Sequence, residues 1–127
     1  MGTGDLAQAV IQLGAACELE VYSTIADSLQ VRKAAPENLK KVERLKFARK
    51  VKLLGSLNGN SFKRFDSGAA RLVIKLYGMR GAAIHRADLP FVDNSKNPMW
   101  NASQLIRFVH ACERLFEWLA IQRSALV

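Results

Sequence analysis

Apolar residues recur at steps of three and four along most of this chain, the spacing of helices that each bury one face. From Asp5 to Leu29 the stripe is Leu6, Val10, Leu13, Cys17, Val21, Ile25 and Leu29, which predicts one long helix. A second helix is expected from Pro36, since proline suits a first turn and Glu37 complements the dipole there. It continues as "PENLKKVERLKFARKVKLLGSL", apolar at Leu39, Val42, Leu45, Phe47, Ala48, Val51 and Leu54, with the bases between them on the outer face. The "NGNS" stretch at 58–61 is the clearest helix stop. Beyond it Phe62, Phe65, Ala69, Leu72, Val73, Leu76 and Ala83 mark a third helix ending near His85 or Arg86. The segment "ADLPFVDNSKNP" holds two prolines and turn-forming residues and reads as a loop. A last helix starts between Met99 and Ala102 and carries Leu105, Val109, Cys112, Phe116 and Leu119 on one face. No alternating stretch argues for a strand. The expected fold is therefore all-α, an up-and-down four-helix bundle forming one domain over residues 1–127.

Trp100, Phe108, Trp118 and Ile121 fall off the main stripe of the last helix, which leaves two readings open, a dimer face or a broad core seam. Half of the residues are apolar and 24% are charged, a globular composition. No apolar run approaches the ~20 residues that cross a bilayer, and the N-terminus lacks the basic flank and apolar stretch of a secretory signal. Residues 1–4, Met-Gly-Thr-Gly, have the look of a cloning remnant, and the chain is compatible with excision from a longer protein. Cys17 and Cys112, the only cysteines, sit on apolar stripes and are expected as buried free thiols in a reducing, cytoplasmic setting. They are too few for a zinc site, and no metal or cofactor is expected.

The net charge of +8 is unevenly spread. Residues 1–30 hold four acids and no bases, residues 31–86 fifteen bases and three acids, and residues 87–127 four of each. Such a basic segment suits a polyanion partner, because binding phosphates releases counterions. Lys46, Arg49 and Lys50 on the second helix are the expected contacts. The alternative is a solvated lysine-rich face.

The stretch "RLVIKLYGMRGAAIHR" places an arginine, Arg80, five residues before a histidine, His85, late in a helical plan. This arrangement, with a polar loop and long helix after it, resembles the HEPN superfamily (higher eukaryotes and prokaryotes nucleotide-binding). Leu76-Tyr77 before the arginine is similar to the Apea-like branch. The resemblance implies a small all-α domain, often a metal-independent ribonuclease whose homodimer brings two Arg/His pairs into one cleft. On that footing Arg80 would hold the scissile phosphate, a role that suits a planar, permanently charged fork of donors. His85 would move protons at the ribose 2′-hydroxyl and the leaving oxygen, since imidazole titrates near neutral pH. Cleavage would require RNA and leave a 2′,3′-cyclic phosphate, in the manner of a toxin or defence effector, with an antitoxin or a larger host protein as a further partner. Tyr77 and Arg86 would touch the RNA. Gly81 departs from the polar residue the family often has after its arginine, and Ala87 from the tyrosine of one subgroup.

Residues five apart on a regular helix point about 140° away from each other. Arg80 and His85 therefore converge if the helix loosens at Gly81, or if a dimer supplies the second partner. The plainer reading makes Arg80 a solvated base and His85 a helix C-terminal residue favoured by the dipole. His110, with no triad-like neighbours, is expected as a partly buried packing residue. Glu18 and Glu20 are expected at the surface, with pairing to bases across the bundle or a place beside Arg80 as alternatives. Two other functions stay open: a non-catalytic HEPN-like module that dimerises and binds nucleic acid or nucleotide, and a basic helical DNA-binding domain.

Overall fold

The computed structural model describes residues 3–86 and 102–126, with side-chain surroundings for 8–75, 77–78, 103 and 105–126. Among these residues it holds six helices: α1 (Thr3–Val31), α2 (Pro36–Glu43), α3 (Phe47–Asn58), α4 (Phe62–Phe65), α5 (Ser67–Arg86) and α6 (Ala102–Ser124). No strand occurs among the described residues. The all-helical expectation holds, and the 87–98 loop and Trp100 lie outside the described residues.

Two of the four expected helices are each divided. The Pro36–Leu57 segment breaks at Arg44–Lys46, where no glycine or proline stands. The cause is a phase conflict: Val42 and Phe47 are five residues apart, about 140° around one helix. Both are nevertheless buried, which a single helix would not allow on one side. The break also reverses the chain. Tyr22 reaches Glu43 at the end of α2, whereas Glu18 pairs with Lys50 early in α3 and Ser28 meets Asn58 at its end. So α2 runs antiparallel to α1 and α3 runs parallel to it, replacing one long helix with a helical hairpin. The second division falls at Asp66, whose Oδ1 accepts the Ala69 N–H at 3.0 Å and caps α5.

Helix ends follow local chemistry. Lys33 takes a left-handed conformation (φ 55°), and the N–H groups of Lys33 and Ala34 close back onto the carbonyls of Gln30 and Leu29, both at 3.0 Å. Pro36 then opens α2. Gly59 (φ 70°) ends α3 at the "NGNS" stop, as expected.

α1 packs against α2, α3, α5 and α6, and α5 also packs against α4 and α6. Cys17 meets Cys112, and Arg123 reaches Glu20 and Ser23, so α6 runs parallel to α1. Val10, Val21 and Ile25 of α1 share the core with Leu54, Phe62, Val73 and a broad seam of α6. That seam runs Phe108, Ala111, Cys112, Leu115, Trp118 and Leu119, all buried. Phe108 and Trp118 thus belong to the core, while Ile121 stays exposed. Ala48, expected on the α3 stripe, is exposed as well. No described helix is long and apolar enough to cross a membrane.

Candidate nucleic-acid interface

Helix α5 carries the Arg80–His85 segment and runs without a break through Gly81 to Arg86. The backbone does not loosen there, so Arg80 and His85 stay about 140° apart around the axis. The side chains of Arg80, His85 and Arg86 lie outside the described residues.

One turn earlier, Tyr77 enters a polar cluster set among apolar side chains. Its ring stacks on Phe47 with centroids 4.3 Å apart, and its hydroxyl donates to Oε2 of Glu18. The other oxygen of Glu18 pairs with Nζ of Lys50 at 3.2 Å. Lys50 is only 4% exposed and lies 5.7 Å from the Tyr22 ring centroid. Tyr22 in turn donates to Oε1 of Glu43 at 2.9 Å. Partial burial and this carboxylate both push the Tyr22 phenol up, so it remains a donor at neutral pH.

Lys50 is therefore not on the outer basic face. It sits three residues after Phe47 and four before Leu54, on the side of α3 that faces α1, and its charge is matched by Glu18. Lys46 and Arg49 are exposed as expected, six and three residues before the exposed Lys52. Glu18 and Glu20 both pair with bases across the fold, Glu20 with Arg123 at 3.1 Å.

A groove of about 550 Å³ opens between α5 and α6, lined by Asp66, Arg71, Lys75, Arg107, His110 and Arg114. Arg71, Lys75 and Arg107 are exposed and carry no ion pair among the described residues. Arg114 is committed: Nε binds Asp66 Oδ2 at 2.9 Å, the other arm of its fork reaches Glu117, and its guanidinium lies over Phe65. The Ala69 N–H and Arg114 hold the Asp66 carboxyl below the usual carboxylate range. His110 is not the packing residue expected. Its side chain is 71% exposed, with Nδ1 3.7 Å from Glu113, because Phe108, Ala111 and Cys112 occupy the core side of that turn.

A count of charge along the chain does not reveal this cationic groove. Arg71 and Lys75 are four apart on α5, and Arg107, His110 and Arg114 follow at three and four on α6. The helical periodicity that locates the core locates these residues too, when it is applied to bases.

Among the described residues, no group of three or more His, Cys, Asp and Glu is placed to hold a metal ion. No family model matches the chain, and neither the curated proteins nor the solved structures contain a match to it.

Proposed function

We propose that this chain is an RNA-binding helical domain that holds phosphates along α5 and α6. The observation that carries this reading is the groove with three exposed cations, Arg71, Lys75 and Arg107, on two adjacent helices, without an ion pair among the described residues. Lys52 and Lys63, exposed on the other side of α5, extend the same face. The four long helices α1, α3, α5 and α6 act in this reading as the bundle that carries it.

Five phosphate contacts to a single strand give a salt slope of about −3.5, so a fourfold rise in salt should weaken binding by about two decades. Fluorescence anisotropy with a labelled RNA tests this. Charge reversal of Arg71, Lys75 and Arg107 together should flatten the slope. Affinity that ignores salt would sink the reading.

A second reading, metal-independent RNA cleavage of the HEPN type, rests on where Arg80 and His85 lie along α5. The helix that carries Arg71 and Lys75 also carries Arg80 and His85, with Lys75 and His85 ten residues, about 15 Å, apart along its axis. In this reading Arg80 stabilises the charge on the scissile phosphate and His85 moves the proton of the 2′-hydroxyl. The 140° offset calls for a homodimer that pairs Arg80 of one copy with His85 of the other. Labelled RNA incubated with chelator should be cut, a 2′-deoxy substitution at the cut site should block the cut, and His85→Ala should slow it by ~10²–10⁴-fold. Arg80→Lys should also fail, because a point charge does not replace a bidentate fork. Uncut RNA, or equal cutting without His85, leaves the binding reading alone.

A further inference from the structure

We propose that a second groove, between α3, α4 and α5, receives an unpaired nucleobase, so that the chain prefers single-stranded RNA to a duplex. The proposal rests on the RNA-binding reading above and names the form of RNA that the face takes. The groove measures about 700 Å³, within the ~300–1,000 Å³ of sites that hold small ligands. Ala48, Ala70 and Ile74 supply accessible apolar surface over the buried Val51 and Phe62, and Lys52, Lys63 and Arg71 add positive charge. No carboxylate is among its described lining residues, in contrast to the α5–α6 groove with Asp66.

Arg71 lines both grooves. A strand whose phosphate rests on Arg71 therefore passes between them, with neighbouring phosphates at Lys75 and Arg107 on one side and at Lys52 and Lys63 on the other. The base between these phosphates has an apolar face to remove from water, and the groove offers an apolar surface for it. A duplex has no such group to offer, because its bases are already stacked and it presents sugar and phosphate. An amphipathic helix would need anchors repeated over several turns. Three accessible apolar side chains bounded by three cations suit one flat group carried on an anionic chain.

The test uses 12-nucleotide 2′-O-methyl RNAs, which lack the hydroxyl needed for self-cleavage, as a labelled single strand and as the matching duplex. The single strand should bind about tenfold tighter. Ala70→Trp fills the groove and should bring single-strand affinity down to that of the duplex, with the salt slope unchanged. As a measurement on the unaltered chain, a single strand carrying 4-thiouridine should photo-crosslink to peptides spanning 48–52 or 61–74. If the duplex binds as tightly as the single strand, or crosslinks fall only on residues 107–114, the base site is overturned while RNA binding stands. If neither form binds, both readings fall. Competition by an acidic apolar peptide, or a dimer that Ala70→Trp dissolves, would assign the groove to a protein segment or a second copy and overturn the proposal.

Discussion

Replacing Lys50 with methionine separates a structural lysine from those proposed to meet RNA. Its ammonium is 3.2 Å from Glu18 Oε1 and almost fully buried, while the Glu18 side chain is 35% exposed. Removing one partner of a buried pair costs about 3–5 kcal/mol. Here Glu18 is partly exposed and keeps its hydrogen bond from Tyr77 when Lys50 is lost, and methionine keeps the apolar stem. An estimate of about 2–3 kcal/mol follows. At ~2.1 cal/mol/K per residue this lowers the melting temperature by about 7–11 °C. The assay is thermal unfolding by circular dichroism beside RNA anisotropy, with Lys52→Met as the comparison. Lys50→Met should melt early and, well below its melting temperature, bind RNA like the unaltered chain; Lys52→Met should do the reverse. Adding Glu18→Gln to Lys50→Met should recover part of the loss, because the carboxylate charge that Lys50 balanced is gone. If Lys50→Met melts within about 2 °C of the original and loses as much affinity as Lys52→Met, Lys50 is a phosphate contact and the buried-pair account is refuted.

Gly55→Ala should destabilise the chain despite the helix propensity of alanine, by about 1–2 kcal/mol. The new Cβ would stand 2.9 Å from the Ser61 Cα, in a segment pinned by the Trp118 Nε1–Asn60 carbonyl bond at 3.0 Å; an unchanged or higher melting temperature refutes the close contact. Asp66 has a depressed folded-state pKa, so its stabilising contribution is present above an unfolded-state value of ~3.9 and lost as pH falls through the lower folded value. In a pH series of melts, Asp66→Asn, which keeps a cap acceptor, should remove that part of the acid sensitivity; an identical series means the carboxylate charge does not matter. Cys17 and Cys112, with Sγ atoms 3.2 Å apart and both buried, should lose two hydrogens to diamide and form a disulfide between α1 and α6. Intact mass and a higher non-reducing melting temperature would report it, and two thiols still alkylatable after denaturation would refute it.

RNA binding and RNA cleavage make different demands on this chain. Binding needs only the cations of α5 and α6, which one copy supplies. Cleavage needs Arg80 and His85 to converge, and an unbroken α5 keeps them apart within one copy. A monomer that binds RNA with a steep salt dependence and leaves it whole is therefore consistent with the first reading and opposed to the second. A dimer that cuts in chelator favours both.

Features set by near neighbours in sequence were legible without a structure. The period of the apolar stripes marked α1 and α6, Pro36 marked the start of α2, and Gly59 marked the end of α3, because each acts through one or two turns of its own helix. Asp66 before Ser-Gly was a legible cap that the apolar pattern alone passed over. The reversal between α2 and α3 was not legible locally, since nothing between Arg44 and Lys46 disfavours a helix. It arises because Val42 and Phe47 both gain more by burial than one continuous helix would permit. The fates of the bases were tertiary matters too. Lys50 and Lys52 are two residues apart in the same basic run, yet α1 offers Glu18 to one and solvent remains for the other. His110 is exposed because the core of α6 is wider than its first stripe and draws Phe108, Ala111 and Cys112 inward. Composition announced a cationic protein, and helix packing decided which described cations are buried in pairs and which are exposed.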